Sequence, residues 1–200
     1  MKKYFLVWIT LVLTVMPSIV LAEADRNYLN GDKNYIFCGA SMGAGYFVDR
    51  TSLVVEKYEP PIYILSIEVC SVGHYFDKFG EKTFRRGSRE IFKYDYSSRT
   101  MYLYTPDENH GQWLKERYVN HYRGRNDNVS REKLRRANEI DWDSEWTYVD
   151  PDVFYGEGAV FTTAGEIAFA RAYNLKFHGS KYKRFEGDFY DKIGDIKDRL

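Results

Sequence analysis

Residues 62–72 constrain the fold more than any other stretch of the chain. Tyr63, Leu65, Ile67 and Val69 fall on one side of an extended backbone, and Ser66, Glu68 and Cys70 fall on the other. Successive side chains of a strand point to opposite faces, so this period of two predicts a strand with one apolar and one wetter face. Strands of parallel sheets are buried on both faces. A one-sided strand therefore belongs to an antiparallel sheet.

Other short runs fit the same sheet. Residues 35–38, 46–48, 53–55 and 146–149 are aromatic or β-branched and bounded by turn residues. Gly43, Ala44 and Gly45 predict a turn, as does Asp49-Arg50-Thr51-Ser52, where Asp and Ser can bond nearby amides. Residues 91–94 and 101–104 flank Ser97-Ser98-Arg99 and read as a hairpin. The 18 Tyr and 13 Phe suit such a sheet, because a tyrosine ring packs while its hydroxyl stays wet.

One helix is expected over residues 164–177. Thr163 stands three residues before Glu166, the spacing of a capping box, in which each side chain bonds the other's backbone amide. Ile167 and Ala170, with Phe169 and Tyr173, would face the sheet, and Gly179 would end the helix. Ser130-Arg131-Glu132-Lys133 predicts the cap of a short helix through Ala137. Residues 180–200 alternate charges with Phe185, Phe189, Tyr190, Ile193 and Ile196 and suggest a second amphipathic helix.

The start of the chain has the order of a secretory leader. Lys2 and Lys3 precede an apolar run from Tyr4 to Val15, and Pro17 and Ser18 break that run before Val20-Leu21-Ala22. Cleavage is expected after Ala22 or after Ala24. The alternative is an uncleaved anchor, against which the run is shorter than the ~20 residues a spanning helix needs. A signal peptide at 1–22, a lead-in at 23–34 and a single domain at 35–179 follow, with a surface insertion at 105–144 and a charged tail at 180–200. The product would be periplasmic, surface-bound or secreted, with no stable membrane insertion after cleavage.

Charge excludes one class of partner. The 29 basic residues match the 29 acidic ones, and two of the bases are Lys2 and Lys3. A nucleic-acid binder would show a concentrated basic excess, so no nucleic-acid partner is expected.

An oxidising compartment and an even count make a Cys38–Cys70 disulfide the natural inference. It would close a loop worth about 3–4 kcal/mol on a chain-entropy basis. Two buried free thiols are the alternative.

The residues that usually carry chemistry do not form a pattern. His74, His110, His121 and His178 lie in four separate segments, without the short spacing of zinc ligands. No serine sits in a Gly-x-Ser-x-Gly elbow. Met42-Gly43-Ala44-Gly45 lacks the lysine of a phosphate loop. Glu68, in mid-strand, reads as an exposed-face carboxylate rather than a catalytic acid. Asp141-Trp142-Asp143-Ser144-Glu145-Trp146 sets acids beside indoles and reads as a loop, with cation or sugar binding as the alternative. Accordingly no catalytic residue, metal ligand or cofactor is assigned.

Residues 45–53, Gly-Tyr-Phe-Val-Asp-Arg-Thr-Ser-Leu, resemble the aromatic, Asp, then Ser-plus-hydrophobe signature of surface-adhesin protein E-like domains. The hairpin at 88–104 and residues 146–151 agree with that layout. Residues 164–169 and 175–179 are similar to small secreted bacterial proteins with the same order of features. The resemblance covers 35–179 apart from 105–144. It implies a sheet flanked by helix at the cell envelope and transfers no catalytic residue.

The chain is thus expected to be an α+β domain, a twisted antiparallel sheet of five or six strands packed by the 164–177 helix. The function expected is a non-enzymatic envelope or surface module that binds another envelope or host macromolecule. A secreted hydrolase or enzyme inhibitor, its site assembled only in the fold, is the alternative.

Overall fold

Each strand of the sheet pairs antiparallel with the one before it. The computed structural model describes residues 27–73, 83–106, 110–138, 145–152, 157–194 and 196–197. The expected signal peptide lies outside them. The strands are β1 (Tyr28–Leu29), β2 (Asp32–Ser41), β3 (Ala44–Glu59), β4 (Ile62–Gly73), β5 (Thr83–Asp95), β6 (Thr100–Tyr104) and β7 (Trp146–Tyr148). They form one seven-stranded sheet in the order β1-β2-β3-β4-β5-β6-β7.

The expected antiparallel sheet is present, but its strand count of five or six is corrected to seven. One strand is added to those expected, and two of the expected runs merge. β1 forms inside the expected lead-in, with Tyr28 opposite Ile36. In addition, residues 46–48 and 53–55 belong to a single strand rather than two. Asp49-Arg50-Thr51-Ser52 does not turn the chain. It is taken up as a register shift, Asp49 opposing Glu68 and Val54 opposing Ser66. The turn chemistry is still present: Asp49 Oδ1 accepts from Thr51 N at 2.9 Å and Thr51 Oγ1 at 2.6 Å. These bonds satisfy locally the groups that leave the ladder.

The reversal between β2 and β3 falls at Met42 and Gly43, both left-handed at φ 49° and 76°. Two left-handed residues match the twist of the strands they join. The side chain of Met42 is left exposed at the tip.

The sheet's inner face carries the core. Val48, Leu65, Ile67, Phe92 and Met101 are fully buried there against α3 (Glu157–Tyr173). Contact is closest at Gly165, where a Cβ would stand 2.3 Å from Met101 Sδ and 3.1 Å from Phe92 Cδ1. Tyr94 Oη donates to Gly165 O at 2.8 Å, fixing the helix on the sheet. Ile167, Phe169 and Ala170 are buried as expected, and Arg171 is exposed.

The ends of this helix differ from expectation. It begins at Glu157, so Thr163 lies inside it and donates back to Ala159 O at 3.0 Å instead of capping. It ends near Asn174, which is left-handed at φ 53°, and Gly179 opens a later turn. Residues 164–170 are all buried, because the chain beyond the helix returns across its far side. That return is not a second helix. It consists of three short 3-10 turns (Gly179–Lys181, Lys183–Phe185, Tyr190–Lys192) whose Phe185, Tyr190 and Ile193 join the core.

The sheet's outer face is covered at one end. Residues within the expected 105–144 insertion form α1 (His110–Tyr122) and α2 (Asn128–Ala137). Tyr118, Tyr122 and Ala137 bury against Tyr148 of β7, with Tyr102 of β6 packed alongside. The cap of α2 is Asp127 rather than Ser130: its carboxylate accepts from Ser130 N and Ser130 Oγ, both at 2.8 Å.

Candidate binding surface

Two clusters of charge have the residue types of an active site; the first is sealed, and the second is buried except for Asp152, whose side chain is 34 % exposed. In the first, Glu166 is fully buried on α3. Its Oε1 accepts from Phe177 N at 2.8 Å and Tyr190 Oη at 2.6 Å. Its Oε2 accepts from His178 N at 3.0 Å and lies 2.9 Å from His178 Nδ1. Burial alone would raise the carboxyl's pKa, but the bonds and charge of His178 and the bond from Tyr190 hold it below its ordinary value. The His178 ring is enclosed by Phe177, Tyr182 and Phe185. With side chains only 0 % and 1 % exposed, this pair cannot reach a substrate.

The second cluster follows β7. Lys133 Nζ of α2 lies 2.7 Å from Asp150 Oδ1 and 2.6 Å from Asp152 Oδ2. Tyr122 Oη of α1 donates to Asp150 Oδ2 at 3.0 Å, and Thr162 Oγ1 of α3 contacts Asp150 O at 3.3 Å. Burial pushes the Lys133 pKa down, and pairing with Asp150 more than offsets it. One carboxylate thus ties α1 and α2 to the end of the sheet. Both clusters join segments together, and neither opens a site.

The outer face of β2 to β5 sets exposed and buried side chains side by side: Phe37 and Arg89 meet solvent, while Phe47, Ser66 and Cys70 are buried. Pairing places Tyr35, Asp49, Glu68 and Arg89 in one row across four strands. Phe37, Phe47 and Cys70 form the adjacent row. The Phe37 and Phe47 rings meet edge to face at 5.4 Å, over the space that Gly45 leaves by lacking a Cβ. Phe37 keeps 38 % of its surface exposed.

Arg89 lies along this face. Its Nη1 donates to Ser66 Oγ at 2.8 Å and Ser52 O at 3.1 Å, and its Nη2 is 3.6 Å from Glu68 Oε1. Ser66 Oγ in turn donates to Glu56 Oε1 at 2.6 Å. The guanidinium is held by these contacts while the side chain stays 40 % exposed, so its orientation is set before any partner arrives. Asp49 raises the pKa of Tyr35 beside it, a sign of the acidic field on this face. Lys93 ends the open surface, its Nζ 4.7 Å from the Trp146 ring and 4.9 Å from the Tyr102 ring.

Glu68, read from sequence as an exposed-face carboxylate, belongs to this surface. Met42-Gly43-Ala44-Gly45 is the hairpin turn described above. Trp146 lies in β7 with its ring 5.3 Å from that of Tyr104, while residues 141–144 fall outside the described residues. His74 also falls outside them, His121 is exposed on α1, and His178 is sealed. Among the described residues, no group of three or more His, Cys, Asp or Glu is placed to hold a metal ion. No described helix is long and apolar enough to cross a membrane.

Cys38 and Cys70 are buried free thiols in this structure. Cys38 occupies the bulge of β2 and faces the core, and β3 separates it from Cys70 of β4. Burial raises both thiols, Cys70 to about 11. Arg89 and Glu166 went unrecognised in the sequence. The available signal for Glu166 was a lone carboxylate within the apolar run 164–170. Comparison with protein-family models, curated proteins and solved structures finds no match for this chain.

Proposed function

We propose that the chain is an exported, non-enzymatic binding module whose contact surface is the outer face of β2 to β5, its partner another envelope or host macromolecule. The observation that carries this reading is the contrast in exposure. The sealed Glu166–His178 pair offers nothing to a substrate, whereas Phe37 and Arg89 are braced and open to solvent. Aromatic and arginine side chains held in place lose little freedom on binding, which makes them effective anchors. The resemblance to surface-adhesin protein E-like domains supports the same reading and rests on the short stretches quoted above.

Export is tested first: N-terminal sequencing of protein from the native envelope should begin at Glu23 or Asp25, and retention of Met1 would sink the idea. Binding is then tested by retaining envelope or host fractions on the immobilised mature chain. A partner held by wild type should be lost with Phe37→Ser and Arg89→Ala together. Equal retention would remove this face from the reading.

The Cys38–Cys70 bridge belongs to the same proposal. Strands next but one lie about 9–10 Å apart, and a bridge needs Cα atoms within about 4.4–6.8 Å. Closing it therefore requires β2 to shift at its bulge. Unreduced exported protein about 2 Da lighter than the reduced form, one proton lost per thiol, would show that it does.

A further inference from the structure

β3 outruns its neighbour on one side. β2 pairs with it only from Ala44 to Asp49, whereas β4 follows it to Glu59. Over residues 54–59 it therefore has β4 on one edge and, among the described residues, no strand on the other. Among the described residues no strand pairs with the peptide groups on that edge, and Val54, Val55 and Tyr58 beside them are 42 %, 47 % and 63 % exposed. An extended edge of this kind is a template for another strand.

The order of faces along this edge is unusual. Val55 opposes Leu65 and Tyr58 opposes Tyr63, both core residues, so Val55 and Tyr58 turn inward. Val54, Lys57 and Glu59 oppose Ser66, Ile64 and Ile62 and turn outward. Glu56 is the extra residue of a bulge between Val55 and Lys57, and its bond to Ser66 Oγ places it outward too. The sequence of faces is out, in, out, out, in, out, which reads the same in both directions about the 56–57 peptide.

An ordinary strand alternates strictly, so a two-fold axis through one of its peptide bonds would oppose inward to outward residues. The bulge removes that conflict. Two copies paired antiparallel about the 56–57 peptide set Glu56 against Lys57 twice and Val55 against Tyr58 twice. Opposite charges and aromatic–β-branched contacts are both favourable across strands. Centring the axis on Glu56 or on Lys57 instead sets like charges face to face.

We propose that residues 54–59 of β3 are the edge through which two copies of this chain pair antiparallel, joining their sheets across a two-fold axis. Charges and a bulge normally protect an edge against indiscriminate pairing. Here the same devices select one register. The interface is isologous, as in most dimers. It meets the outer face at Ser66, which bonds both Arg89 and Glu56, so Lys57→Glu, which leaves those bonds in place, is the variant that separates loss of pairing from loss of partner binding.

Sedimentation of the exported protein tests it. Wild type should be dimeric, and dimerisation should weaken with salt. Lys57→Glu sets acid against acid, and Glu56→Lys sets base against base, so each should be monomeric alone. Mixed together they face Glu against Lys at both positions and should form a heterodimer. Circular dichroism confirms that each variant is folded, since Glu56→Lys also loses the bond to Ser66. A second measurement needs no variant: amide exchange over residues 54–59 of wild type should slow as protein concentration rises. A wild-type monomer at high concentration, variants that dimerise as wild type does, or a mixture that stays monomeric would each overturn the proposal. So would an edge protected only when an extended segment of a different protein is added.

Discussion

Replacing Glu166 tests the core most severely, because one buried carboxylate serves four donors from three residues. Glu166→Ala leaves the amides of Phe177 and His178, the His178 ring and the Tyr190 hydroxyl without their acceptor. Each unsatisfied buried group costs about 1–3 kcal/mol, and breaking a buried hydrogen-bonded network around a charge costs about 3–5 kcal/mol in all. The donors belong to one network, so the larger figure is a total rather than a term to be multiplied. At about 2–4 °C per kcal/mol for a domain of this size, Tm should fall by about 6–20 °C. Glu166→Gln keeps the volume and one acceptor oxygen and should cost less, about 1–3 kcal/mol. The pH dependence gives an independent reading. The carboxyl's folded pKa is held below its unfolded value, so its contribution is present above about pH 4.3 and is lost as pH falls through the folded value. The stability gap between wild type and Glu166→Gln should therefore narrow on acidification below that pH. Urea melts across pH measure it. A cost of Glu166→Ala within about 0.5 kcal/mol, the range of ordinary surface changes, would refute the role of the carboxylate as the anchor of the C-terminal return.

Three further outcomes follow from the packing. Lys133→Met leaves Asp150 buried without its cation and should cost about 3–5 kcal/mol, read by hydrogen exchange as opening of α1 and α2 ahead of the sheet. Gly165→Ala should destabilise by about 1–3 kcal/mol despite alanine's better helix propensity, because the new methyl meets the fully buried Met101; thermal melts decide the sign. Ile167→Ala should cost about 2–5 kcal/mol, while the exposed Arg171→Ala and the uncapping-neutral Thr163→Ala should each stay within about 0.5 kcal/mol in urea.

The parts of this fold that were legible in the sequence are those where one physical rule acts alone. Residues 62–72 alternate because β4 has core on one side and the braced polar row on the other. Ile167, Phe169 and Ala170 were legible as core because the helix carries them against the sheet. Where two rules compete, the sequence misleads. Thr163 and Glu166 have the spacing of a capping box, yet the helix already runs through them and the carboxylate is spent on the returning chain. Asp49 and Ser52 have the chemistry of a turn, and the same hydrogen bonds serve equally well for a bulge. The candidate surface was not legible at all. Tyr35, Asp49, Glu68 and Arg89 are far apart in sequence and become neighbours only once the register of three successive hairpins is set.

Glu166 and Asp150 together explain how the segments around α3, with so little regular structure on either side of it, keep one arrangement. Apolar contacts are non-directional, so Phe185, Tyr190 and Ile193 could fill the space behind α3 in several ways. A carboxylate in a closed site has far fewer solutions, because every lone pair must meet a donor and every donor must sit at hydrogen-bond distance. Glu166 meets that condition only when residues 177, 178 and 190 are where they are found. Asp150 meets it only with α1, α2 and α3 all in place. Breaking either pair is costly, whereas replacing a pair by well-packed apolar residues is often neutral. The function left to these buried charges is therefore specification of the chain path. The outer face of β2 to β5 and the free half of β3 are the surfaces proposed above for a partner and for a second copy of the chain.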